Sequence, residues 1–182
     1  MSSKTRLVTP DAILSYPNLF TPRAMAEGMP EKYSCELIFP EGTDLTPLRE
    51  AASAAAIQKW GDKLPANVRS PFRDGDEDRP GKPEYAGTTF ISARSKQKPK
   101  VLEGEDMNPV MDEGEVYGGC VCRVSVTAFA YDQAGNKGVS FFLNNVWKLR
   151  DGEPLGGGVS AADEFAGAGV DKSAFGSDDT PF

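Results

Sequence analysis

The sequence predicts a mainly β fold, a small barrel with one inserted helix, followed by an acidic C-terminal tail that is disordered. Three observations predict it. Runs between residues 32 and 152 alternate apolar and polar side chains at the two-residue period of half-buried strands. One helical segment stands between the early and late runs. The charge is also unevenly divided: residues 1–150 carry 20 acidic and 19 basic side chains, whereas residues 151–182 carry seven acidic ones and only Lys172 as a base.

The elements follow in chain order. The opening MSSKTRLVTPDAIL lacks the apolar core of a secretory leader. SYPNLFTPR (15–23) is expected as a strand or turn carrying Tyr16, Phe20 and Arg23. KYSCELIF (32–39) alternates Tyr33, Cys35, Leu37 and Phe39 against polar neighbours. The helix is TPLREAASAAAIQKWG, with Asp44 or Thr46 as its cap, Pro47 in its first turn and Gly61 at its end. Leu48, Ala52, Ala55 or Ala56, and Trp60 form its apolar stripe. Residues 62–86 are expected as a long polar loop rich in Pro and Gly.

GTTFISARS (87–95) is β-branched and aromatic. GCVCRVSVTAFAYD (119–132) places Cys122, Val124, Val126, Ala128 and Ala130 on one face, and Arg123, Ser125, Thr127, Phe129 and Tyr131 on the other. The turn QAGNKG joins it to VSFFLNNVWKLRDG (139–152) as a hairpin. Five or six strands with one helix suit a small Greek-key barrel of the oligonucleotide/oligosaccharide-binding (OB) type. A sandwich or a helix-on-sheet fold satisfies the same periodicity.

The chain divides at about residue 151. Residues 1–151 form the domain, with 39% apolar residues overall, enough for one core. Residues 152–182 are Gly, Ala, Ser and Asp with isolated phenylalanines, too little apolar area to offset the entropy of ordering. No apolar run reaches bilayer length, so no membrane partner and a cytoplasmic setting are expected. Three cysteines, two of them only two positions apart, do not make a disulfide framework. The thiols of Cys120 and Cys122, within a strand, are expected on opposite faces.

The sequence has no histidine, which removes the commonest general base and zinc ligand. No phosphate-binding loop or dinucleotide fingerprint occurs. The acidic run DGDED (74–78) fails the EF-hand pattern, since Arg79 and Tyr85 stand where Gly and Glu are required. Neither an enzyme nor a cofactor is expected.

Two features point to a polyanion. ARSKQKPK (93–100) holds Arg94, Lys96, Lys98 and Lys100 at two-residue spacing, which on an extended chain sets them on one side at about 6–7 Å intervals. An edge strand guarded by lysines is the plainer explanation of the same pattern. Aromatic side chains are the second requirement, because unpaired bases stack on them without sequence being read. Phe129 and Tyr131 share a face with Arg123; Phe20 lies near Arg23; Trp147 precedes Lys148. Phe141, Phe142 and Trp60 are expected in the core.

The last residues, DDTPF, resemble the DDIPF-type tip of bacterial single-stranded DNA-binding proteins, with Thr180 in place of Ile. The body is similar instead to a family of phage-encoded single-stranded DNA-binding proteins. YAGTTFISARSKQKPKV (85–101), EVYGGCVCRVSVTAFAYDQAGNKGVSFFLNNVWKLRDGEPLGG (115–157) and ADEF (162–165) carry that likeness. The resemblance implies a five-stranded OB barrel that coats single-stranded DNA without sequence specificity in phage replication or recombination, inside the infected bacterial host. The tip resemblance implies recruitment of polymerase, helicase, primase or nuclease through Asp178, Asp179, Pro181 and Phe182. The acidic tail is further expected to compete with DNA for a basic groove. A homodimer is among the expected assembly states. Rival readings are a strand-annealing or recombination-mediator protein, a nuclease using the 74–78 carboxylates with magnesium, and a structural virion component.

Overall fold

Alternating strands can bury their apolar faces by closing on one another, and five strands of this chain do so. The structure, a computed structural model, describes residues 5–155 except Met25. In chain order the strands are β1 Arg6–Val8, β2 Ala12–Ala24, β3 Glu31–Phe39, β4 Arg73–Asp74, β5 Thr89–Ser95, β6 Lys100–Glu103, β7 Asn108–Pro109, β8 Val121–Gln133 and β9 Asn136–Arg150. Helix α1 spans Thr46–Trp60 and a single turn, α2, spans Gly75–Asp78.

Strand β2 pairs antiparallel with β3, and β3 with β5. β5 then runs parallel to β9, β9 pairs antiparallel with β8, and β8 closes the circle on β2. This is the expected five-stranded Greek-key OB barrel. Its inward residues, among them Leu14, Leu37, Ile91, Val124, Val126 and Phe141, are each no more than 1% exposed.

Helix α1 lies between β3 and β5 in the chain and packs against β8, β1 and β9. Leu48, Ala51, Ala52, Ala55 and Ala56 are its buried residues, and small side chains on that stripe let the helix lie close to the barrel. The cap position is Leu45, with no side-chain cap bond, rather than the expected Asp44 or Thr46; Asp44, one residue further out, accepts the Thr46 amide on its Oδ1 at 3.0 Å. That hydrogen bond holds its carboxyl below the usual range.

Several expectations change. The 62–86 loop contains β4, α2 and a 3-10 turn at Pro83–Tyr85. Tyr85 from this loop is fully buried against Ile38 and Phe90 on the outer face of β3 and β5. Its ring meets Phe90 edge-on, with centroids 5.0 Å apart. The loop is therefore a cover over one end of the barrel wall.

The cysteine expectation fails. Both Cys120 and Cys122 are buried, and their Sγ atoms lie 3.6 Å apart. Residues two apart on an extended chain share a face, so both thiols turn inward with Val124 and Val126, and the expectation of opposite faces misapplies the two-residue period.

The residues after Arg150 are strapped to the barrel. Tyr117 Oη donates to the Gly152 carbonyl at 2.7 Å, and the Leu155 amide donates to the Gly118 carbonyl at 2.8 Å. Leu155 packs against the Ile38–Tyr85–Phe90 cluster. The tail expectations, including Asp178, Asp179, Pro181 and Phe182, lie outside the described residues.

Candidate nucleic-acid interface

The hairpin of β8 and β9 builds one wall of the site. Its two-residue turn has φ of +51° at Ala134 and +83° at Gly135, the left-handed pair that matches strand twist in tight hairpins. That turn fixes the register, with Phe129 opposite Ser140 and Thr127 opposite Phe142. Phe129 and Phe142 consequently lie diagonally on the outer face, and their rings stack at 3.9 Å between centroids and 20° between planes. Tyr131 continues the row, 6.3 Å from Phe129. Phe142 is 46% exposed.

Cations border this row on both sides. Arg94 is the parallel-sheet partner of Phe142, and Arg6 of β1 is opposite Thr127. Together with Lys32, Lys96, Lys98 and Lys100 they line a groove of about 1090 Å³ that also contains Phe129, Tyr131 and Phe142. The ion pairs among the described residues engage Arg73, Arg79, Arg123, Lys148 and Arg150, and none of the groove cations. Solvated cations beside exposed rings can take phosphates and stack bases together.

The expected basic ridge has a different shape from the one its spacing suggests. β5 ends at Ser95, the chain bends at 96–97 where the Gln97 amide donates to Ser95 Oγ, and β6 begins at Lys100. Pro99 is buried and holds the bend down. Arg94, Lys96, Lys98 and Lys100 therefore curve around one end of the groove, where a straight strand would have spread them out.

Other expected residues fall elsewhere. Phe20 packs on the core and borders a smaller hollow beside Lys98 and Lys100. Arg23 lies in a second hollow that shares Arg94. Arg123 is ion-paired with Asp11 at 2.7 Å, away from the groove. Trp147 is half-buried, its Nε1 donating to the Gly104 carbonyl at 2.8 Å. Lys148 is a correction: it is 6% exposed, with Nζ donating to the Glu115 carbonyl at 2.5 Å and to Asp151 at 2.6 Å.

A bulge explains Lys148. The β8–β9 register shifts between Ser125 and Val126, so inward residues on β9 pass from Val139, Phe141 and Leu143 to Val146 and Lys148. Phe142 was expected in the core and is instead outside, because Phe141 takes the inward position. Strand alternation combined with hairpin register was the signal that could have found it. Arg6 and Lys32 reach the groove through pairings remote in sequence.

The acidic run at 74–78 is occupied by structure. Asp74 caps α2 by accepting the Asp76 amide, Asp76 accepts the Gly87 amide, and Asp78 pairs with Arg73. Among the described residues no group of three or more His, Cys, Asp or Glu could hold a metal ion. Nor, among them, is any helix long and apolar enough to cross a membrane.

A closed OB barrel with a cationic, aromatic groove defines a nucleic-acid-binding class of protein. The family described as "Enterobacter phage Enc34, ssDNA-binding protein" matches residues 5–175. The chain belongs to that family. It is 33% identical over 165 residues to "Putative protein p50" of Acyrthosiphon pisum secondary endosymbiont phage 1, covering 84% of this chain and 88% of the relative. It is similar to the structure of the single-stranded DNA-binding protein from bacteriophage Enc34 in complex with ssDNA, with 27% identity and a TM-score of 0.75. That match covers 85% of this chain and 91% of the other. The single-stranded DNA-binding protein gp2.5 of bacteriophage T7 shares the fold, at 16% identity and a TM-score of 0.56, covering 88% of this chain and 99% of that one.

Proposed function

We propose that this chain binds single-stranded DNA in the groove between β5, β9 and β8, and coats it without reading its sequence. The observation that carries the reading is the stacked Phe129–Phe142 pair, continued by Tyr131 and bordered by cations that have no ion-pair partner among the described residues. Every base offers a flat face to such a row, and every nucleotide offers a phosphate to Arg94, Lys96, Lys98 and Lys100. No bond is made or broken. The protein keeps strands unpaired during phage replication or recombination, inside the bacterial host.

The tail divides the work. Its acidic residues compete with DNA for the groove, and Asp178, Asp179, Pro181 and Phe182 present a compact anionic and aromatic end to replication partners. Fluorescence anisotropy with single-stranded and duplex oligomers across a salt series tests the DNA reading. The expected result is tighter binding to single strands, with affinity falling as salt rises at a slope of about 0.7 per phosphate neutralised. Absence of single-strand binding at low salt overturns it.

A further inference from the structure

Beside the aromatic groove lies a second hollow of about 500 Å³ on the outer face of β2, β3 and β5, and Arg94 borders both. Three things about it are not explained by folding alone.

The first is Tyr16. It is 45% exposed and its φ is +44°, a left-handed conformation that a bulky residue adopts only at a cost in strain. The β2–β3 register slips here, between Ser15 and Asn18. Regular pairing is thus given up at the point where the ring turns outward.

The second is Lys82. It comes from the loop that covers the barrel wall and sets its Nζ 5.0 Å from the centroid of the Tyr16 ring, also meeting the Tyr16 hydroxyl. The cation thus stands off the hydroxyl end of an exposed ring and leaves the ring faces for a base.

The third is the pairing of Arg23 on β2 directly opposite Lys32 on β3. Like charges across a strand pair are destabilising, and neither residue has an acidic partner among the described residues. A polyanion lying between them removes the repulsion. The carboxylate in this hollow, Glu36, is already held by Arg79 at 2.7 Å and by the Tyr85 hydroxyl at 2.8 Å. Arg23, Lys82 and Arg94 therefore set its sign.

We propose, on the reading of the aromatic groove as a single-stranded DNA site, that the strand passes over Arg94 into this second hollow. There Tyr16 stacks a base, and Lys82 and Arg23 hold the neighbouring phosphates. The footprint on DNA is then longer than the aromatic row alone would give.

The test compares full-length wild-type protein with Tyr16→Gly, Tyr16→Trp and Lys82→Ala, using oligothymidylates of about 6 and about 16 nucleotides, near the ends of the range for one OB fold. Tyr16→Gly relieves the left-handed backbone, so its Tm stays equal or rises. It should bind the longer oligomer about tenfold more weakly and the shorter one unchanged. Lys82→Ala should shift in the same direction, and Tyr16→Trp should bind as wild type does. Loss of neither oligomer, or equal loss of both, overturns the second hollow. Failure of the wild-type protein to bind either length overturns instead the reading of the aromatic groove.

Discussion

Phe129 and Phe142 stack at 3.9 Å across the β8–β9 hairpin, and one edge of that pair meets Arg94 through the parallel β5–β9 pairing. One sheet face thus sets a stacking surface and a cation side by side. Phe142→Ala should raise the Kd for an oligothymidylate by about tenfold, the loss expected for one stacked base. The salt slope should stay as in wild type, because no phosphate contact is removed. Anisotropy titrations at three salt concentrations separate these two effects.

Changing Lys96, Lys98 and Lys100 together to Ala has the complementary signature. All three line the groove without ion-pair partners among the described residues. Removing them should weaken binding at low salt and lower the slope of log K against log salt by about 2, at about 0.7 per lost phosphate contact. An unchanged slope would place the DNA elsewhere. Thermal stability should hardly move, since all three side chains are exposed.

Lys148 should behave as a structural residue. Burial alone pulls its ammonium pKa down, but the hydrogen bond to Asp151 and the charges of Asp151, Cys120 and Glu115 outweigh this and hold it above the ordinary value. Lys148→Met should cost about 1–3 kcal/mol, the range for a lost charged hydrogen bond, with DNA affinity unchanged. The pH dependence follows from the two shifts. A raised lysine contributes at all pH values below its ordinary one and loses its effect only at strongly alkaline pH. Asp151 is held below the usual carboxylate range by the Lys148 hydrogen bond. Its contribution is present above an ordinary Asp value of about 3.9 and fades as pH falls through the lowered one. The Tm gap between wild type and Lys148→Met should therefore be steady near neutral pH and narrow in acid.

The strap after β9 depends on two close backbone contacts. A Cβ on Gly119 would lie 2.1 Å from the Glu153 carbonyl oxygen, and one on Gly152 would lie 2.0 Å from the Gly119 carbonyl oxygen. Backbone faces backbone in both cases, so no flexible side chain can yield. Gly119→Ala should destabilise by about 2 kcal/mol or more through overpacking, and by strain at its positive φ. Amide exchange at Gly152 and Leu155, whose N–H groups bond Tyr117 Oη and the Gly118 carbonyl, should quicken more than exchange in β8.

What the sequence shows of this molecule follows from where regular periodicity holds. The run 121–128 alternates strictly, and 32–39 and 89–95 are rich in β-branched and aromatic residues, so the strands and the outward placing of Phe129 and Tyr131 are visible in it. Where the chain departs from regularity, inference from pattern fails. The bulge in β9 reverses the facing of Trp147 and Lys148, and buried Pro99 bends the basic ridge. Tyr85 lies in a loop of polar composition, and only the tertiary cluster with Ile38 and Phe90 shows why it is there. The closing of β8 on β2 and the approach of Arg6 depend on long-range pairing, which one-dimensional alternation does not encode.

Residues 156–182 carry Asp163, Glu164, Asp171, Asp178 and Asp179 against Lys172, and the last described residue, Leu155, lies against the Ile38–Tyr85–Phe90 cluster. Arg79, whose guanidinium lies over the rings of both Tyr85 and Phe90, also lines the second hollow. An acidic segment tethered at that point has a high effective concentration near the groove cations. Deleting residues 156–182 should then tighten single-stranded DNA binding at low salt, and the gain should shrink as salt approaches 1 M, where the Debye length is about 3 Å. Removing Phe182 alone deletes no acidic side chain, so DNA affinity should stay near wild type while capture of replication partners is lost. Tightening that persists unchanged at high salt would mean that charge competition is not the cause. Equal DNA affinity with and without residues 156–182 would mean that the tail does not occupy the groove.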